Sequence, residues 1–136
     1  MIRNKHVFIT GGGSGIGRAI ALLFADEGAT VTITGRRSNA LEEVANERAN
    51  ISAFQMDVSN EKQVVSVISQ AVSQCGPIQV CVANAGIAEG KKLQNTNLDF
   101  WKKIMGTNLD GTFLTIRESM KSMLEAEWGR VIAISS

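Results

Sequence analysis

The chain is expected to fold as an α/β domain, a doubly wound parallel sheet with helices on both faces. Three observations carry that expectation. Strand-like and helix-like segments alternate along the whole length. A glycine-rich turn, Thr10-Gly11-Gly12-Gly13-Ser14-Gly15-Ile16-Gly17, joins the first strand to the first helix. The links between elements are short, and in a βαβ series short links go with parallel strands and right-handed crossovers.

Val7-Phe8-Ile9 with Thr10 is an apolar, β-prone start. Arg18-Ala19-Ile20-Ala21-Leu22-Leu23-Phe24-Ala25 reads as helix. That helix is expected over residues 15–27, ending at Gly28, a natural left-handed C-terminal residue. Thr30-Val31-Thr32-Ile33-Thr34 is a second strand, rich in the β-branched residues that fit a pleated surface. Ser38-Asn39 opens the next helix, with Glu42 as the capping-box partner of Asn39. A short strand follows over residues 51–56. Ser59-Asn60-Glu61 caps a helix in which Val64, Val67, Ile68, Ala71 and Val72 share one face, and Gly76-Pro77 ends it. The near-continuous apolar run over residues 78–83 suits a strand buried on both faces. Thr96 with Asp99 marks the start of a long helix over residues 98–127, closed by Trp128-Gly129. Val131-Ile132-Ala133-Ile134 is the fifth strand, also expected to be buried.

Composition narrows the function classes. With 136 residues, 44% hydrophobic and 20% charged, the chain is one domain's worth of globular protein. A net charge of +1 gives no electrostatic case for nucleic acid or an acidic membrane surface. Cys75 and Cys81 form neither a metal spacing nor a disulfide framework. The N-terminus runs directly into a strand, without a signal peptide or an apolar stretch long enough to span a bilayer, so a cytoplasmic location is expected. The chain contains no Tyr.

In a doubly wound sheet, ligands lie beyond the carboxyl ends of the strands, near the point where strand order reverses. After the first strand comes the glycine loop. N–H groups at a helix N-terminus attract anions, and glycine lets a pyrophosphate approach without meeting a Cβ. Gly11, Gly13, Ser14, Gly15, Ile16 and Gly17 are therefore candidate phosphate-binding residues. After the second strand comes Gly35-Arg36-Arg37 in place of a carboxylate. Arg36 and Arg37 either clamp a phosphate, which favours NADP over NAD, or are solvated arginines at a helix entrance. After the third strand, Asp57 either accepts from an adenine amino group with Val58 against the ring, or is a turn residue before Ser59. After the fourth, Asn84-Ala85-Gly86 is either a close backbone approach to a flat cofactor or an ordinary strand-ending turn. Phe100, Ile104 and Asn108 fall at i, i+4 and i+8, which places an amide on the inward stripe of the long helix. A buried Asn there needs partners, structural or functional. Gly106 and Gly111 weaken the same helix. Ser135-Ser136 follows the fifth strand at the same edge.

Together these residues resemble the short-chain dehydrogenase/reductase family in its single-domain form, with its Rossmann fold. Thr10-Gly11-x-x-x-Gly15-x-Gly17 is similar to the family's dinucleotide loop, Asp57-Val58 to its adenine pair and Asn84-Ala85-Gly86 to its strand-four motif. Asn108, with Gly111 three residues on, is similar to its helix asparagine. Gly129-Arg130-Val131-Ile132-Ala133-Ile134-Ser135-Ser136 resembles the strand leading into its catalytic serine. The resemblance implies hydride transfer between a nicotinamide cofactor and a carbonyl or secondary alcohol. It assigns Ser136 to the substrate oxygen and Asn108 to a water-linked proton relay. Arg36 beside Gly35 looks like the NADP-preferring version, with NAD as the second candidate. The basic residue that many NADP-linked members carry before the second glycine is Ser14 here.

The same resemblance implies a small-molecule carbonyl or alcohol substrate, a 3-oxoacyl thioester among the candidates. It implies a homo-oligomer, dimer or tetramer, with no nucleic-acid or membrane partner. The family's general acid/base is a Tyr roughly a dozen residues after the serine, with a Lys four positions later that lowers its pKa. Neither carries over to this chain. Residues 1–136 are therefore expected to be a dinucleotide-binding Rossmann domain, C-terminally incomplete and catalytically inactive alone. The alternative is a stand-alone dinucleotide-binding or sensing module.

Overall fold

The computed structural model describes residues 1–135. Among them, five parallel strands form one sheet: β1 (His6–Thr10), β2 (Thr30–Gly35), β3 (Ile51–Gln55), β4 (Ile78–Ala83) and β5 (Arg130–Ala133). Their order is β3-β2-β1-β4-β5, so the direction of winding reverses between β1 and β4. The helices are α1 (Gly15–Asp26), α2 (Ser38–Glu47), α3 (Glu61–Cys75), α4 (Leu98–Met105) and α5 (Gly111–Glu125). None of the described helices is long and apolar enough to cross a membrane.

Successive strand side chains point to opposite faces, and here both faces are covered. Val7, Ile9, Val31, Ile33, Val80 and Val82 meet Ala21 and Ala25 of α1 and Leu41 and Val44 of α2. Phe8 and Cys81, on the other face, meet Val64, Val67, Ile68 and Ala71 of α3 with Leu114 and Met123 of α5. This double coverage is why the central strands read as unbroken apolar runs. Phe8, Ile9 and Ile33 are fully shielded from water, and burying each contributes about 1.5–3 kcal/mol. In register, Thr10 lies beside Thr34 at the carboxyl end of the sheet.

The fold departs from expectation where local chemistry competes. Asn60 caps α3 as expected, accepting at its side chain from Gln63 N. The box on Asn39 does not form; α2 starts at Ser38 with Arg37 as its N-cap and no side-chain cap. Asn97, rather than Thr96, caps α4, accepting from Phe100 N at 2.8 Å, while the Thr96 hydroxyl donates to Lys92 O.

The single helix expected over residues 98–127 is α4, a π-helical turn at Gly106–Asp110, and α5. A π turn breaks the 3.6-residue count on which the Phe100–Ile104–Asn108 stripe rests. Thr107 takes the buried position and Asn108 is exposed, which corrects the expectation of a buried Asn. β5 is also not buried: it pairs only with β4 among the described strands, and Val131 and Ile132 stay about two-fifths exposed (41% and 42%).

Candidate functional site

The site is built at the reversal between β1 and β4, and its floor is a hydrogen-bonded clasp. Thr10, buried at the end of β1, accepts at Oγ1 from Asn84 N and Ala85 N, both at 3.0 Å. Asn84 Nδ2 donates back to Thr10 O and Gly11 O, both at 3.2 Å. The first residues beyond β4 are thereby fastened to the last residue of β1 and the first of the glycine loop. Asn84 is thus a structural amide, and its side chain does not line the crevice above it.

The loop then turns at Gly11, whose φ of +66° is a conformation that side-chain-bearing residues rarely adopt. Gly17, in the first turn of α1, rests on the Gly11 carbonyl. A Cβ at position 17 would overlap that oxygen and lie 2.6 Å from Asn84 Nδ2. The N-terminus of α1 is held against the loop by this contact. Ser14 is its N-cap residue, yet the serine side chain makes no capping hydrogen bond and the first turn carries no acidic residue. The leading N–H groups of α1 lack both a side-chain cap and a compensating charge, the electrostatic setting that receives an anion.

A cavity of about 360 Å³ opens in front of this N-terminus. Gly11, Gly13 and Ser14 form one wall, Arg36 and Arg37 the next, Asp57 and Val58 the third, and Ala85 with Gly86 close it toward β4. A groove formed by Ser38, Asn39 and Glu43 continues outward from the two arginines. Both arginines are exposed, and among the described residues neither makes an ion pair.

Asp57 shows both of its readings at once. Its Oδ1 accepts from Ser59 N at 2.9 Å and Ser59 Oγ at 2.7 Å, a turn that leads into α3. No bond to Oδ2 is formed among the described residues, which leaves that oxygen available to a ligand. Val58 is 7% exposed and presents that remaining surface to the cavity.

Gly15, Ile16 and Gly17, the first turn of α1, are not among the residues that line the cavity, and Ile16 is 62% exposed. Asn108 lies outside the wall as well. Its Oδ1 accepts from Ile87 N at 2.7 Å and its Nδ2 donates to Ile87 O at 2.9 Å. The loop after β4 gains two more ties: Lys103 Nζ to Glu89 at 3.1 Å, and Lys91 Nζ 4.3 Å from the centre of the Phe100 ring. Ser136 lies outside the described residues.

Sequence reasoning missed four wall residues: Ala40, Leu41, Met56 and Thr107. Leu41 and Met56 look like core residues in the sequence, and they are core; each also shows an edge to the cavity. Thr107 had a signal in the two glycines that bracket it, but only the π turn reveals which way it faces.

The sequence model of the family described as short chain dehydrogenase matches residues 5–136. An uncharacterized oxidoreductase of Staphylococcus aureus strain MW2 is 33% identical over 138 residues, covering 100% of this chain and 60% of that protein. A 3-oxoacyl-(acyl-carrier-protein) reductase of Aquifex aeolicus is 34% identical over 140 residues, covering 99% of this chain and 56% of that protein. The crystal structure of a short-chain type dehydrogenase/reductase from Mycobacterium marinum superposes with a TM-score of 0.95 at 32% identity, over 99% of this chain and 57% of that one. The chain thus spans somewhat under two thirds of the length of the relatives it matches. The winding order, the glycine loop on an uncapped helix and the family match over almost every residue agree: the chain belongs to the short-chain dehydrogenase family.

Proposed function

We propose that the crevice between β1 and β4 binds a nicotinamide dinucleotide, NADP in preference to NAD, for an oxidoreductase acting on a carbonyl or secondary alcohol. The observation that carries this reading is the cavity itself. It joins an uncapped helix N-terminus, two guanidinium groups with no ion pair among the described residues and a half-used carboxylate in one continuous wall. When bound, the cofactor supplies or accepts the hydride.

Each residue then has a task in holding it. The N–H groups at Gly11, Gly13, Ser14, Gly15 and Ile16 receive the pyrophosphate, and Gly17 lets the helix come close enough for them to reach it. Arg36 and Arg37 pair with the 2′-phosphate of the adenosine ribose. The free oxygen of Asp57 accepts from the adenine amino group, and Val58 packs on the ring. Asn84 shapes the floor through the Thr10 clasp, while Ala85 and Gly86 keep it low.

Asn108 fixes the backbone of Ile87 beyond β4 and holds a water in a proton relay, and Ser136 donates to the substrate oxygen. Residues 1–136 are on this reading the dinucleotide-binding part of a cytoplasmic homo-oligomer. The similarity to a 3-oxoacyl reductase supports a small acyl ketone as substrate. The chain has no Tyr to act as general acid, so the 136-residue polypeptide alone turns over no ketone.

Calorimetric titration with NADPH and NADH tests the cofactor reading. NADPH is expected to bind about tenfold more tightly, the discount reflecting how exposed the arginines are. The Arg36→Ala/Arg37→Ala variant should lose that difference and keep NADH binding. Tighter NADH binding by the parent chain would overturn the assignment of the arginines, and no saturable binding of either nucleotide would overturn the function.

A further inference from the structure

Gly111 opens α5 directly after the π turn, and it meets the third wall of the cavity from behind. A Cβ placed on it would lie 2.5 Å from Val58 Cγ2, 2.8 Å from Val58 Cβ and 3.3 Å from the Val58 carbonyl carbon. Gly106, at the other end of the π turn, faces Ser59 Cβ at 3.7 Å from the same imagined atom. The two glycines therefore straddle the β3–α3 link at Val58 and Ser59. Thr107, between them, is buried and lines the cavity. Val58 thus lies between Gly111 of α5 on one side and the cavity on the other.

We propose that Gly111 is a positioning residue for the adenine end of the cofactor site, acting through Val58. The proposal rests on the dinucleotide reading given above. Alanine is the better helix former, so propensity alone expects Gly111→Ala to be neutral or stabilising. The overlap with Val58 decides otherwise. A rotamer change could move Cγ2, but Cβ and the carbonyl carbon move only with the backbone, and that shift carries Val58 and Asp57 into the space the adenine needs.

The test titrates the chain with ADP-ribose, which carries the adenine half shared by the two cofactors without the 2′-phosphate of NADP, in the parent and in Gly111→Ala, Val58→Ala and Gly111→Ala/Val58→Ala. Affinity is measured at a temperature where each variant is fully folded. Gly111→Ala is expected to bind about tenfold more weakly than the parent, as an overpacked wall should. The double variant should match Val58→Ala within about threefold, because removing the valine methyls removes the overlap.

Parent-like binding by folded Gly111→Ala overturns the proposal even if its melting temperature falls. So does a double variant that binds far more weakly than Val58→Ala, or one that does not fold. If Gly111→Ala itself does not fold, recovery of folding and of Val58→Ala-like binding in the double variant supports the coupling. If the parent chain binds no ADP-ribose, the dinucleotide reading has failed instead.

Discussion

Replacing Thr10 with Val keeps the shape of the side chain and removes only the oxygen that closes the β1–β4 clasp. Oγ1 accepts two backbone hydrogen bonds, from Asn84 N and Ala85 N at 3.0 Å each. Valine can accept neither, and Thr10 is 1% exposed, so water cannot enter to replace it. An unsatisfied buried donor costs about 1–3 kcal/mol. Asn84 and Ala85 are half-buried, which places each loss at the lower end and the total near about 2 kcal/mol. Better burial of the valine methyl offsets a few tenths of that.

Urea unfolding of the parent chain, Thr10→Val and Thr10→Ser gives the comparison. Thr10→Ser retains the acceptor and should lose about 1 kcal/mol or less. For a chain of this size the valine variant should melt roughly 6–10 °C lower. Dinucleotide affinity should fall with it, because the clasp sets the height of the crevice floor. A valine variant within about 0.5 kcal/mol of the parent would show that the two N–H groups find other acceptors, and would refute the reasoning.

Further outcomes concern the two ends of the sheet. Buried His6 donates from Nδ1 to Gly76 O at 2.7 Å and accepts at Nε2 from the Thr32 hydroxyl at 2.8 Å. Burial holds its pKa below the ordinary histidine value, the Gly76 carbonyl offsetting only part of that effect. The unfolded chain therefore takes up the proton first. Stability is complete above about pH 6.5 and is lost as pH falls toward the folded-state value, by up to about 1.4 kcal/mol per pH unit. Stability measured from pH 7.5 to pH 5 should show that slope in the parent and a flatter one in His6→Gln; equal slopes would contradict the assignment.

Burial pushes the Cys81 thiol up to about 11, so a thiol reagent should label half-buried Cys75 in the folded chain and reach Cys81 only after denaturation. Equal native rates would count against the packing of β4. Asn108→Ala removes both bonds to Ile87, so the Ile87 amide should exchange with solvent at least about tenfold faster while amides in α5 keep their protection. Unchanged exchange at Ile87 would show that the loop is held by other means.

Much of the fold was legible because short-range rules and long-range packing agree. Val7 to Ile9 alternates between two covered faces, and Ala21 and Ala25 sit one helical repeat apart against the same sheet. The glycine loop was legible for the same reason, since strand, turn and helix each carry their own signature. The arginines and Asp57 were located at the right strand ends, but their environment was not in the sequence. That Arg36 and Arg37 make no ion pair among the described residues depends on where the rest of the chain packs, and that Asp57 spends one oxygen on Ser59 depends on the turn geometry.

Asn108 is exposed rather than buried for a physical reason. Its helical stripe assumes 3.6 residues per turn, and the turn between Gly106 and Gly111, which lies against Val58 and Ser59, is π-helical. The missed capping at Arg37 and Asn97 is a smaller case of the same thing. Several polar residues could cap each helix, and the direction in which the chain enters decides which one does.

The most direct measurement is an amide ¹H–¹⁵N shift map of the labelled chain titrated with NADPH. The largest shifts should fall on Gly11, Gly13 and Ser14, on Arg36 and Arg37, on Asp57 and Val58, and on Ala85 and Gly86, the four walls of one cavity. Amides at the opposite end of the sheet, near His6 and Gly76, should stay in place. Shifts confined to that opposite end, or a spectrum unchanged at saturating NADPH, would contradict the claim that this crevice is a dinucleotide site.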